Sequence, residues 1–315
     1  MTRGMLIYIL QRLLLVAVTA LLVSSIVFIA VHQLPGNAFL TDKPGSARRL
    51  AVLLHQYGLD QPWPVQYWHW LVGVVTQGNL GQSFVIRGQA LTPLLLRELS
   101  VSATLGGAAM VITIVFGMGL GILAAVRQNT WIDYVCTAFA TVGYSIPNFL
   151  AATILVLLTV TGFYRLTGGL FYENIGWGTP QQIPVPALAL AILPMGLIAR
   201  LTRASMLETI KQDYVRTAWA KGLRSRVVVM RHALRNALIP VVTVLGPIAT
   251  GIITGSVVVE QMFGIPGLGK EFITSILSRD YNTVIGVFTF YAMLVGLVNL
   301  LVDLIYPLLD PRIRY

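Results

Sequence analysis

Long apolar runs recur along this chain, and each approaches the length that a helix needs to cross a bilayer. They occupy residues 13–31, 101–126, 134–160, 187–203, 237–259 and 284–309. A helix rises about 1.5 Å per residue, so about 20 apolar residues span the hydrocarbon core. The pattern predicts an all-α polytopic membrane protein with six transmembrane helices.

Proline interrupts several of the runs, including the third and the fourth. The third contains Gly143 and Pro147, and the fourth contains Pro194. Proline frees backbone groups that neighbouring helices must satisfy. Pro147 therefore indicates either a kink that lines a pathway or a proline that the fold merely tolerates.

The longest polar stretch, residues 35–98, is predicted to lie outside the membrane. Ser46 can cap a first helix there, and Gly58 fits the position after its end. Pro64 suits the first turn of a second helix, whose apolar stripe includes Trp68 and Val75. Clustered aromatic residues are typical of helices that lie at the membrane interface.

Composition and charge agree with this picture. Hydrophobic residues make up 56% of the chain and charged residues 11%, and the net charge is +10. The Lys and Arg residues cluster at the ends of the apolar runs, as membrane orientation requires, and not on one soluble face, as nucleic-acid binding would favour. Their distribution predicts a cytoplasmic N-terminus and a cytoplasmic C-terminus.

A basic segment at about 207–236 lies between the fourth and fifth runs. Its cations are Lys211, Arg216, Lys221, Arg224, Arg226, Arg231 and Arg235. Asp213 can cap a helix through Lys221, Gly222 interrupts it, and a second helix begins at Arg224. A helix–glycine–helix loop at a membrane face suits a soluble partner, although solvated charge that sets orientation predicts the same pattern.

Catalytic and metal-binding chemistry is not indicated. Residues 264–271 nearly match a phosphate-binding loop, but Glu271 stands where Ser or Thr would bind magnesium, and Pro266 removes a backbone donor. The four histidines lack metal-ligand spacing, and no catalytic constellation occurs within the runs. We therefore predict no catalytic, cofactor-binding or metal site in this chain.

Two acidic residues are candidates within or beside the apolar runs. Asp303 lies inside the sixth run, and Glu260 lies at the end of the fifth. Intramembrane carboxylates favour proton relay or cation coordination. An ion pair of Asp303 with Arg12 or Arg200 is the alternative that we favour.

Taken together, the motifs resemble the first of the two permease types in bacterial dipeptide, oligopeptide and nickel ABC importers, over essentially the whole chain. The opening helix with Pro35-Gly36-Asn37 and the closing Asp310-Pro311-Arg312 fit that family. The resemblance implies a type I importer fold and two groups of site residues. The ATPase-docking loop comprises Asp213, Tyr214, Arg216, Thr217, Ala218, Ala220, Lys221 and Gly222; the external motif comprises Glu260, Phe263, Pro266, Gly267, Leu268 and Gly269.

The resemblance also implies a role in a larger assembly. The chain would be a multi-pass subunit in the bacterial inner membrane, paired with a homologous second permease, two ATPase sites that hold ATP and magnesium, and an extracytoplasmic solute-binding protein. Residues 1–98 would form the first helix and external loop, and residues 99–315 a five-helix core. Di- or oligopeptides are the expected substrates, with nickel chelates or haem as alternatives.

Two other functional classes fit the sequence less well. A secondary transporter or channel driven by an ion gradient would need a polar site at the membrane midplane and often has inverted repeats. A membrane scaffold without a transport role would not need the external Pro-Gly-Leu-Gly segment. No clear repeat is visible, and the strongest polar feature is the basic segment.

Overall fold

The computed structural model describes residues 3–33, 52, 54–86, 88–168, 175–254 and 256–309, and helices dominate those ranges. The Pro35-Gly36-Asn37 turn, the cap at Ser46 and the closing Asp310-Pro311-Arg312 lie outside them. The helices are α1 Arg3–Gln33, α2 Trp63–Gln77, α3 Leu91–Val126, α4 Trp131–Ser145, α5 Asn148–Leu166, α6 Pro184–Ile210, α7 Asp213–Ala220, α8 Ser225–Ile253, α9 Val257–Phe263, α10 Leu268–Leu277 and α11 Tyr281–Leu309.

The prediction of six membrane-spanning helices is confirmed. Among the described residues, six segments are long and apolar enough to cross a bilayer: 4–33, 91–126, 148–166, 180–210, 225–253 and 281–304. Three of the helices, α3, α5 and α8, contain a short π-helical turn. The cytoplasmic position of both termini stays a prediction.

The helices group into two compact units. Unit 1 comprises residues 1–101, 266–300 and 315, and unit 2 comprises residues 102–265 and 301–314. The boundaries therefore fall inside α3, just before α10 and inside α11.

Unit 1 is held together by leucine packing at the start of α3. Leu91 and Leu95 are fully buried and pack with Leu80, Leu268 and Val287. Asp280, just before α11, is also buried; it accepts hydrogen bonds from the Ser83 hydroxyl and from the Phe84 backbone N–H. The segment before α3 is thereby attached to the start of α11.

Unit 2 is arranged around α6, which has the largest share of buried residues among the membrane-spanning segments. Glycines allow its neighbours to approach closely. A Cβ at Gly121 of α3 would lie 2.5 Å from the Ala199 carbonyl oxygen, and a Cβ at Gly196 would lie 2.4 Å from that of Ala140 in α4. Small residues at helix crossings are a common packing device in membranes.

The sequence predicted a single helix for the third apolar run, but the structure has two. The run is broken at Ile146 (φ −83°, ψ 122°) and Pro147 (φ −60°, ψ 143°) into α4 and α5. Proline disfavours helical backbone angles in the residue before it by steric clash, and here the helix ends at Ser145. Gly143 lies inside α4, where an added Cβ would be in ordinary contact with Ile192, 3.4 Å from its carbonyl oxygen.

The fifth run and the segment after it also differ from the prediction. The helix ends at Ile253, and Ser256 begins α9 by accepting a hydrogen bond from the Val259 backbone N–H. The segment after the fifth run is also helical, because residues 260–283 contain the end of α9 and all of α10. Serine at this position satisfies a free N–H of the first helical turn and starts the new helix.

Candidate functional site

The basic segment forms a helix–turn–helix at the junction of α7 and α8. Helix α7 begins at Asp213, but the preceding Gln212 occupies the N-cap position and has no side-chain cap bond, so the predicted capping role of Asp213 is wrong. Asp213 instead lies in the first turn, where its negative charge is favourable next to the helix dipole. Arg224 occupies the corresponding position before α8.

A hydrophobic core supports this turn from beneath. Val215 and Ala218 point inward from α7, and both are buried. They pack in one cluster with Ala125, Met206, Val228, Ala233 and Ala237. The resemblance places Ala218 in the docking loop, but Ala218 is covered by its own chain because the i, i+3 spacing places it on the same face as Val215.

The opposite face of α7 is exposed and carries both aromatic and charged groups. Tyr214 and Trp219 are 42% and 44% exposed. The Asn236 amide of α8 donates a hydrogen bond of 2.8 Å to the Tyr214 hydroxyl, which links the two helices. Aromatic and basic side chains together are enriched where proteins bind partners.

Gly222 makes the turn between the helices possible. Its φ is +72°, in the left-handed region, and a Cβ added there would meet nothing within 4 Å. L-residues with a side chain adopt this conformation only at a cost, so backbone freedom, and not lack of space, explains the glycine.

An ion pair with a buried carboxylate lies elsewhere in unit 2, and the sequence pattern did not predict it. Arg203 of α6 donates two hydrogen bonds to Asp133 of α4, of 2.6 Å from Nε and 2.7 Å from Nη2. Asp133 is 2% exposed and also accepts bonds from the Asn129 backbone and the Thr137 hydroxyl. Because both charges stand beside ends of apolar runs, the sequence indicated their approximate depth but not their pairing.

Glu260 is also bonded inside unit 2. It is fully buried on α9, and its Oε1 accepts a hydrogen bond of 2.8 Å from the Ser102 hydroxyl of α3, which is 1% exposed. Phe263, three residues later, is also fully buried, and its carbonyl accepts a bond of 2.6 Å from Gly176. Glu260 therefore joins helices inside the protein and does not end the fifth run.

We predict that Ser102→Ala lowers stability by about 1–3 kcal/mol, because the buried carboxyl group loses a donor. The thermal midpoint of the purified protein in detergent is the measurement. Ser100→Ala is the matched control, since the Ser100 side chain is exposed on the same helix and bonds the Arg97 carbonyl. Equal midpoints for the two variants would contradict the prediction.

The remaining predicted site residues occupy separate places. Gly267 precedes α10, and Leu268 and Gly269 are buried in its first turn, within unit 1. Asp303 is half-buried on α11, and its ion pair stays a prediction; the guanidinium of Arg200 lies 4.2 Å from the centre of the Tyr144 ring. In the described part of the chain, no group of three or more His, Cys, Asp or Glu could hold a metal ion.

The sequence matches two family models over most of its length. One family, described as "Binding-protein-dependent transport system inner membrane component", matches residues 117–315. The other, "Binding-prot-dependent transport system membrane comp, N-term", matches residues 5–98.

Relatives match almost the entire chain. The dipeptide transport system permease protein DppB of Bacillus subtilis (strain 168) is 39% identical over 307 residues, which is 98% of this chain and 97% of that protein. The oligopeptide transport system permease protein OppB of Salmonella typhimurium is 36% identical over 313 residues, 99% of this chain and 100% of that protein.

Solved structures show the fold. A chain of the MetNI methionine ABC transporter in an inward-facing conformation has a TM-score of 0.56 at 19% identity and covers 69% of this chain and 96% of its own. A chain of an amino acid ABC transporter has a TM-score of 0.52 at 18% identity and covers 70% of this chain and 95% of its own. The fold is thus that of ABC importer permeases.

Proposed function

Because this chain belongs to the family of binding-protein-dependent transport system inner membrane components, we propose that it is the membrane-spanning subunit of an ATP-driven importer of di- or oligopeptides. It is a multi-pass protein of the bacterial inner membrane. The peptide substrate is inferred from the similar dipeptide and oligopeptide permeases. Haem and nickel chelates are less favoured as substrates, since the two relatives described above are peptide permeases.

The proposed assembly contains further proteins. A homologous second permease pairs with this chain, separate ATPase subunits hydrolyse ATP with magnesium, and an extracytoplasmic protein delivers the solute. This chain has no catalytic role in that scheme. Both of its termini lie in the cytoplasm, so that the turn at Gly222 faces the ATPases and the 260–269 segment lies on the external side.

The observation that carries the coupling role is the geometry of the α7–α8 turn. A buried core holds the turn in place, while Tyr214, Trp219 and the surrounding cations remain exposed. Such a surface can transmit a rigid-body movement of a bound ATPase to α6 and α8, with which it is continuous. All members of the proposed docking loop except the buried Ala218 are exposed: Asp213, Tyr214, Arg216, Thr217, Ala220, Lys221 and Gly222.

The test changes the backbone of this turn without adding a clash. Gly222→Val places a β-branched residue in the left-handed region, at a cost of about 1–2 kcal/mol. We expect peptide uptake per ATP hydrolysed to fall up to about tenfold in reconstituted vesicles, the factor that 1.4 kcal/mol represents. Gly222→Asn is the control, because asparagine tolerates this conformation.

The two readouts separate coupling from folding. The coupling role predicts normal amounts of Gly222→Val protein in the membrane together with wasteful ATP hydrolysis. A loss of the protein from the membrane would show instead that Gly222 serves folding. Unchanged uptake per ATP in the valine variant would also contradict the coupling role.

A further inference from the structure

Unit 1 contains a cavity of about 610 Å³ that the proposed coupling role does not use. It lies where α1 ends and α11 begins, and α2, residues 56–59, Gln61, Gln82, Phe84 and Gly88 complete its wall. Cavities of about 300–1,000 Å³ are typical of small-molecule sites. The cavity is therefore large enough for a ligand of several residues.

The wall is mainly aromatic and carboxamide, and it also contains the imidazoles of His32 and His69. Five lining residues are Phe, Tyr or Trp, among them Tyr57, Trp70 and Phe84, and five carry carboxamides, among them Gln56, Gln82 and Asn282. None of the described lining residues is Asp, Glu, Lys or Arg. A carboxamide donates and accepts hydrogen bonds as a peptide group does, and aromatic rings offer apolar contact with little loss of freedom.

Contacts within unit 1 hold much of this wall in position. The Trp70 indole N–H donates a bond of 3.1 Å to the Leu80 carbonyl, and the rings of Tyr57 and Phe84 meet edge to face at 5.2 Å. The Gln66 amide donates to the carbonyls of Leu59 and Gln61. A wall that is already ordered loses little freedom when a ligand binds.

Two exposed side chains of the wall take no part in the contacts just described. Gln56 and Gln82 are both exposed and line the cavity. Their amide groups can turn toward an incoming ligand, while the aromatic side chains remain in place.

We propose that this cavity binds an uncharged segment of a peptide substrate. The carboxamides bond its peptide groups, and an aromatic or aliphatic side chain of the ligand packs against Trp70 and Phe84. A single zwitterionic amino acid would place two charges against a described lining that has no Asp, Glu, Lys or Arg and only the imidazoles of His32 and His69, which is unfavourable. This assignment rests on the proposed peptide transport and gives it an accessory site within unit 1.

A photolabelling experiment tests the proposal. The probe is N-acetyl-alanyl-benzoylphenylalanyl-alanine amide, a blocked tripeptide without charge, added to the purified chain with its co-purifying partners in lipid nanodiscs. We expect the label on peptides that contain Tyr57, Trp70 or Tyr281, with competition by the unlabelled blocked tripeptide and much weaker competition by free phenylalanine. Labelling spread evenly over the apolar helices, or confined to other segments, would overturn the proposal.

Variants identify the cavity as the labelled place. Gln56→Glu introduces a charge into the wall and is expected to reduce labelling about three- to tenfold. Gln82→Trp fills part of the volume and should reduce it independently. Gln261→Glu is the matched control, because Gln261 is exposed on α9 in unit 2. Equal labelling of all three variants would contradict the assignment.

Peptide uptake is also measured with the same complex reconstituted in vesicles. This measurement separates a failure of the cavity proposal from a failure of the proposed transport function. Vesicles that import peptides but show no label in the cavity would overturn the accessory site alone. Vesicles that import no peptide would contradict the proposed function, whatever the labelling shows. If only a loop of the extracytoplasmic binding protein carried the label, that loop and not the substrate would be the occupant of the cavity. This result would overturn the proposal.

Discussion

Replacing Arg203 with alanine is expected to destabilise unit 2 by about 3–5 kcal/mol, the usual cost of removing one partner of a buried ion pair. Asp133 would keep its backbone and hydroxyl donors but lose the two short bonds from the guanidinium. The Asp133 side chain is 2% exposed and the Arg203 side chain 29% exposed, so water would replace the lost bonds only in part. The lost contact also joins α4 to α6, the central helix of the unit.

The thermal midpoint of the purified protein, measured at one fixed heating rate, reports this loss. A fall of at least about 6 °C is expected, from about 2–4 °C per kcal/mol for a domain of this size. Arg200→Ala is the control, because Arg200 is an exposed arginine on the same helix that lies against the Tyr144 ring and contributes about 0.5–1 kcal/mol. A similar fall in both variants would show that the ion pair with Asp133 contributes no more to stability than the exposed Arg200 does.

A double-variant cycle tests the pairing itself. Asp133→Ala combined with Arg203→Ala removes both charges, so neither remains buried alone. We expect the combined loss to be clearly smaller than the sum of the two single losses, as is usual for residues in direct contact. Additive losses would mean that the two side chains act independently.

The second large effect is expected at the crossing of α3 and α6. In Gly121→Ala, the new Cβ would lie 2.5 Å from the Ala199 carbonyl oxygen and 2.6 Å from the Thr202 Cβ. Those atoms belong to a buried helix and cannot move aside alone, so the two helices must separate. Overpacking of this kind costs about 1–3 kcal/mol or more.

Gly119→Ala is the matched control on the same helix. A Cβ at Gly119 meets nothing within 4 Å, and alanine favours a helix over glycine by about 1 kcal/mol. We therefore expect the thermal midpoint to fall for Gly121→Ala and to stay level or rise for Gly119→Ala. Shifts of the same sign and size would show that the close approach of α3 and α6 does not limit stability.

Several features of the protein follow from the sequence alone. Apolar runs of bilayer length predict the number of membrane helices. Lipid offers no hydrogen-bond partners, and a helix is the simplest structure in which every backbone N–H and C=O group is bonded internally. The clustering of cations at 207–236 marks a membrane face, and Gly222 marks the turn within it. Gly117 and Gly121 indicate a close helix crossing through their spacing.

Other features were decided by the tertiary structure. Periodicity gave no partner for Gly121, no bond between Asp133 and Arg203, and no connection of Ser102 to Glu260, residues 158 positions apart. Nor did local pattern show that Ala218 is covered or that unit 1 encloses a cavity. Contacts between residues distant in the chain depend on how the helices are arranged, whereas the helices themselves follow from the local match between apolar length and bilayer thickness.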